Sequence, residues 1–136
     1  MDFDDTLKIS AAGMTAQTTR LRTIAENMAN AGSTGSSPGV DPYRRKLVTF
    51  RNVLDEATGS KLVKVNKVVT DAAPFEMKYM PGHPAADGNG YVRFPNVNTT
   101  IEMADMKDAQ RAYTANVDVI DNAKTMLSRA IGLLQN

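Results

Sequence analysis

The chain has 136 residues with 16 basic and 15 acidic side chains and no cysteine, which excludes disulfides, thiolate zinc sites and cysteine nucleophiles together. A net charge of +1, spread evenly, offers no block suited to a phosphate backbone or an anionic bilayer, so nucleic acid is not expected as a partner. All six prolines lie between Pro38 and Pro95, and the proline-free ends are where the periodicity predicts long helices.

From about Phe3 to Ala31 the apolar residues Leu7, Ala11, Met14, Leu21, Ile24, Ala25 and Met28 keep helical spacing. Leu7, Met14, Leu21 and Met28 recur every seventh residue, a stripe of the kind that packs against other helices. Asp4 and Asp5 suit the positive end of the helix dipole, and Gly32 is a natural stop. The same N-terminus is acidic and lacks the basic and apolar regions of a cleavable signal. No stretch reaches the length of a membrane span. No direct membrane insertion is expected, and any export would leave the N-terminus uncleaved.

Gly32, Gly35, Gly39, Pro38 and three serines between Ala31 and Pro42 predict a flexible loop. The run Arg44, Arg45 and Lys46 then reads as a solvated strand start. Lys46 to Val53 and Lys61 to Thr70 alternate as strands around a turn at Gly59, and Pro74 separates a third candidate, Phe75 to Met80. Six of the eight aromatics, Tyr43, Phe50, Phe75, Tyr79, Tyr91 and Phe94, fall in this central part and are expected to form its small core.

Pro81 to Gly90 is a second loop. Asp87, Asn89 and Gly90 sit as in a calcium loop, but Ala85 and Asn96 occupy the positions that need the first and last oxygen ligands. The segment therefore reads as a tight turn. His83, the one histidine, has no companion as a zinc ligand or triad base, and Gly88 and Gly90 open no helix that could cradle a dinucleotide. No catalytic residue, cofactor or metal site is read from the sequence, and no enzyme is expected.

After Pro95, Thr99 with Glu102 reads as a capping box. Met106, Tyr113, Ile120, Leu127 and Leu134 then repeat in sevens to the end, among alanines that allow close helix approach. Asp108 with Arg111 and Asp121 with Lys124 are surface pairs at helical spacing. The expected fold is α+β: an N-terminal helix over 1–31 and a C-terminal helix over 99–136 form an antiparallel, coiled-coil-like pair. A small loop and β-rich region over 32–98 is looped out between them. A central part of about sixty residues buries too little surface to hide both stripes, so self-association or a partner is expected. Heptads alone leave open whether this gives a growing polymer or a closed oligomer, such as a soluble coiled-coil adaptor.

Several segments carry a resemblance as well. Ile24 to Ala31, with Asn27 and Asn30, is similar to the Asn-x-x-Asn motif near the end of the first helix of flagellar axial proteins. Pro42-Tyr43-Arg44-Arg45 resembles the Tyr-Arg segment that follows it. His83-Pro84, Asp87 to Val92 and Pro95 to Asn98 resemble the approach to the final helix. Ala112 to Val117, with Tyr113 and Asn116, and Ala123 to Leu127 resemble that helix itself. In this order, over nearly the whole chain, they resemble the proximal rod proteins of the bacterial flagellum. Gly32 to Asp41 is a departure, since many axial relatives pass almost directly into a Thr-Gly-Tyr turn. The resemblance implies a non-enzymatic subunit without cofactors, exported uncleaved by the flagellar type III apparatus. Such a subunit polymerises, with copies of itself and other rod subunits, into the drive shaft that spans the periplasm.

Overall fold

The structure, a computed structural model, describes residues 3–56 and 59–134. With Asp4 and Asp5 in its first turn, α1 runs over Phe3–Ala29, and α2 runs over Thr99–Leu134. Between them lie β1 (Lys46–Leu54), β2 (Lys61–Thr70), β3 (Glu76–Tyr79) and β4 (Tyr91–Phe94). Asn27 meets Glu102 and Gly13 meets Asn116, so the two helices pack antiparallel. The fold is α+β, with the terminal helices paired and a small antiparallel β region between them.

The first turn of α2 differs from the capping box expected at Thr99. Asn98 is the cap, its Oδ1 accepting from the backbone N–H groups of Thr100 at 3.0 Å and Ile101 at 3.3 Å. Thr99 is already helical, and Glu102 turns inward, away from the helix end.

The central strands form two separate ribbons, β1 with β2 and β3 with β4. In the first, Thr49 faces Lys67 but Phe50 faces Val65, leaving Asn66 as the extra residue of a bulge. In the second, β4 occupies Tyr91–Phe94, a four-residue alternation that follows the second loop directly. The turn before it is held by Asp87, whose Oδ1 accepts from the N–H groups of Asn89 and Tyr91, both at 2.9 Å. Gly90 has a φ of 83°, and a Cβ there would lie 2.8 Å from the Tyr79 ring. The carboxylate that resembles a calcium ligand is therefore used to close a hairpin.

The expected aromatic core does not form. Tyr79, Tyr91 and Phe50 are exposed, and Tyr79 meets Tyr91 edge-on at 5.3 Å on the surface. Two-stranded ribbons are too small to wrap bulky rings. Cations cover several of them instead: Arg44 lies 4.1 Å above the Phe75 ring and Lys78 4.5 Å above Phe94. The buried apolar residues are small or lie on the helices: Ala16, Ile24, Ala109 and Ala123, with Val92 from β4.

α1 is the common neighbour in this arrangement. α2 packs along one side of it and the β1–β2 hairpin along another, and among the described residues neither hairpin strand packs against α2. The glycine-rich segment after α1 is tied down: Ser33 N–H donates to Asn30 O and Tyr43 N–H to Ser33 O, both at 3.0 Å. Asp41 accepts from Arg93 at 2.7 Å. Gly35 is buried and leaves no room for a side chain, since a Cβ would lie 2.3 Å from Val40 O.

Candidate functional site

Where α1 ends, β1 begins and α2 starts, polar groups converge. Asn27 is 1% exposed and Glu102 is fully buried. The Asn27 Oδ1 accepts from Tyr43 Oη and from Lys46 N–H, both at 2.9 Å, while its Nδ2 donates to Lys46 O at 2.8 Å and to Glu102 Oε2 at 3.1 Å. One side chain thus pairs with both backbone groups of Lys46, as a neighbouring strand would, and uses its full bonding capacity.

Glu102 Oε1 accepts from Arg45 Nε at 2.5 Å, and the same guanidinium reaches Asp71 and Asp105, each at 3.4 Å. Arg20 of α1 also meets Asp105, at 3.4 Å. Asn96 joins the second ribbon to this cluster: its Oδ1 accepts from Arg45 N–H at 2.8 Å, and its Nδ2 donates to Ala73 O at 3.1 Å. The basic run is therefore not a solvated strand start. Arg44 stacks on Phe75 and donates to the carbonyls of Asp71 and Ala73, Arg45 serves three carboxylates, and Lys46 pairs with Glu26.

The electrostatics follow from these partners. Burial alone would lower the Arg45 pKa, but the bonds and charges of Glu102 and Asp71 together outweigh it and hold the group above its ordinary value. Burial raises the Tyr43 phenol, with help from the nearby Glu26 charge, so the hydroxyl stays a donor. A buried carboxylate with one guanidinium and one amide on it is a structural joint.

The sequence-predicted packing residues lie beside the helix seam. Gly13, Arg20 and Asn27 of α1 and Glu102, Ala109, Asn116 and Ala123 of α2 form the seam, also at seven-residue spacing. The approach is close: a Cβ on Gly13 would lie 2.8 Å from Asn116 Oδ1. Leu7, Met14, Leu21 and Met28 follow the α1 seam positions by one residue, and Met106, Tyr113 and Ile120 follow the α2 seam positions by four. At 100° per residue both offsets rotate in the same sense, and because the helices are antiparallel this places both stripes on one flank of the pair. Leu7, Met14, Leu21, Met28, Met106 and Ile120 are half-buried there, while Tyr113 is exposed. The hairpin covers a different side of α1, where Val63 and Val65 line a groove with Ala12, Thr15, Ala16 and Thr19.

Of the motif residues, Asn27 and Tyr43 enter the node, Asn30 caps the chain reversal by donating to Glu26 O at 2.9 Å, and Asn116 stands against Gly13. Sequence reasoning missed Arg45, Glu102, Asp71 and Asp105. The signal for Arg45 was a charge run directly next to the motif tyrosine.

Past Ala123 the surroundings of α2 change. Every residue from Lys124 to Leu133 is exposed, with Met126 at 70%, Leu127 at 44%, Ile131 at 48% and Leu133 at 79%. The helix has outrun α1. Leu134 ends α2, and its side chain lies outside the described residues.

Comparison with known proteins places these features. Residues 89–133 match the family described as flagellar basal body rod FlgEFG protein, C-terminal. A protein of Agrobacterium fabrum named flagellar basal-body rod protein FlgC is 52% identical over 128 residues, covering 94% of this chain and 92% of that protein. The proteins of the same name from Salmonella typhimurium and Yersinia enterocolitica are 40% and 39% identical, each covering 93% of this chain and 94% of the relative.

Proposed function

The chain belongs to the FlgC family of flagellar basal-body rod proteins and is a structural subunit of that rod, and we propose that it polymerises through its terminal helices. The bare end of α2 carries this reading. Four large apolar side chains on the last ten described helical residues are 44% to 79% exposed, and apolar surface of that kind is buried by association. The half-buried stripes on the flank of the helix pair extend the same surface. Its occupants are copies of this chain and other rod subunits. Delivery by the flagellar type III apparatus without cleavage, into a rod within the periplasm, completes the proposal. No residue has a catalytic role in it.

Replacing Leu127 by Asp tests the reading. At a site already 44% exposed the charge leaves the monomer folded, but in a buried subunit contact it would be unpaired and costly. The wild-type protein is expected to co-purify with isolated hook and basal-body complexes and Leu127→Asp to be missing from them, with circular dichroism of the two soluble proteins alike. A variant that enters basal bodies normally, or a wild type found only as a soluble oligomer of fixed size, defeats the proposal.

A further inference from the structure

We propose that the outward face of the β1–β2 hairpin docks on the outer face of α2 of a second copy, with Arg51 and Lys64 against Asp118 and Asp121. The inference rests on the polymerising subunit described above and names one of its contacts.

The direction of the hairpin faces is fixed by what touches α1. Lys46 pairs with Glu26 of α1, and Val63, Lys64 and Val65 all border the α1 groove, Val65 being the least exposed of the three. Alternation along a strand then turns the intervening residues the other way. Arg51 is directly opposite Lys64, and beyond the bulge Lys67 is opposite Thr49, so alternation from Lys46 puts all three cations on the other face of the hairpin, with Lys64 at the border of the α1 groove. All three are exposed, and none has an ion pair in its own chain among the described residues. Two like charges directly across a ribbon oppose its pairing. Half-buried apolar pairs, Leu47 with Val69 and Val53 with Leu62, frame the patch on the same face.

α2 carries the complementary conflict. Asp118 and Asp121 are exposed and three residues apart, where like charges repel. The pairing of Asp121 with Lys124 expected from spacing is not made, whereas Arg111 meets Asp108 at 3.9 Å. With Asn116 turned to α1, a rotation of 100° per residue points Asp118 and Asp121 to the opposite side of the helix. The separations agree: cross-strand Cβ atoms lie about 4.5–5.5 Å apart, and helix neighbours at this spacing about 5–6 Å.

Within one chain these faces cannot meet, because hairpin and α2 sit on different sides of α1. Between copies the contact joins two different surfaces, which gives a growing helical assembly wherever its rotation does not close a ring.

Charge exchange tests it in cells. Arg51→Glu with Lys64→Glu, and separately Asp118→Lys with Asp121→Lys, are expected to lower the amount of protein in isolated basal bodies by roughly tenfold or more. All four changes in one chain are expected to restore it to within about threefold. Because every changed side chain is on the surface, circular dichroism and urea midpoints should match wild type. Either pair entering basal bodies at the wild-type level overturns the proposal. So does a fourfold variant as defective as its parents, the outcome expected if the cations instead meet a lipid surface or a different protein. In each case wild-type protein in the same basal bodies leaves the subunit reading standing.

Discussion

The two ends of the helix pair invert the usual rule of a protein interior. At one end the Glu102 carboxylate and the Asn27 amide are buried against the half-buried Arg45 guanidinium, and at the other Met126, Ile131 and Leu133 face solvent. Burying polar groups costs free energy unless each finds a partner, and exposing apolar ones forgoes the main driving force of folding. The first end is complete within one chain because every partner is supplied locally. The second leaves apolar side chains exposed, and association is proposed to cover them. The contrast separates what holds the subunit together from what it offers to its neighbours.

The sharpest way to break this comparison is to remove Glu102. Glu102→Ala leaves the Asn27 amide without one acceptor and Arg45 with only Asp71 and Asp105, and stability should fall by about 1–3 kcal/mol, read from urea unfolding of the purified protein. A loss no larger than that of a surface substitution would remove the node from the account. Gly13→Ala comes next. The added methyl crowds the Asn116 side chain, and overpacking outweighs the gain in helix propensity to leave a loss of about 1 kcal/mol. Asn116→Ala in the same chain should recover it, and failure to do so would show that the helices do not approach there.

A smaller effect is expected with pH. The folded pKa of Tyr43 lies above its ordinary value near 10, raised chiefly by burial. The neutral hydroxyl therefore contributes in full below about pH 10, and its contribution is lost as pH rises through the folded value. Tyr43→Phe should flatten that alkaline decline, and an unchanged slope would locate the decline elsewhere. The smallest effect belongs to the bare end. Leu133→Ser should shift monomer stability by no more than about 0.5 kcal/mol, while lowering recovery of the protein in basal bodies. A large loss in the isolated monomer would mean that α2 has an internal partner there.

Much of this architecture was legible because it is periodic. The helices and the first ribbon follow from spacing in sevens and in twos, and both are local properties of the chain. The node was not legible because it joins residues 75 positions apart, such as Asn27 and Glu102. Each of these had a sufficient local explanation. Glu102 fits a capping box, and only the competing cap at Asn98 leaves it free to turn inward. Arg45 fits a solvated charge run until three carboxylates are brought to it. The resemblance pointed to Asn27 and Tyr43 without saying what they hold. The aromatics misled for a different reason, since composition counts rings but not the size of the ribbon that must enclose them.

The joint at Asn27 and Arg45 also has a mechanical meaning. Apolar surfaces slide over one another at small cost, whereas a hydrogen bond weakens steeply when bent far from linear. Bonds fixed in several directions around Asn27, Arg45 and Asn96 therefore resist shear between the helix pair and the ribbons. Apolar contacts at the far end of α2 would yield more readily. A twisting load on a stack of such units would then be absorbed between them, while each keeps its own shape.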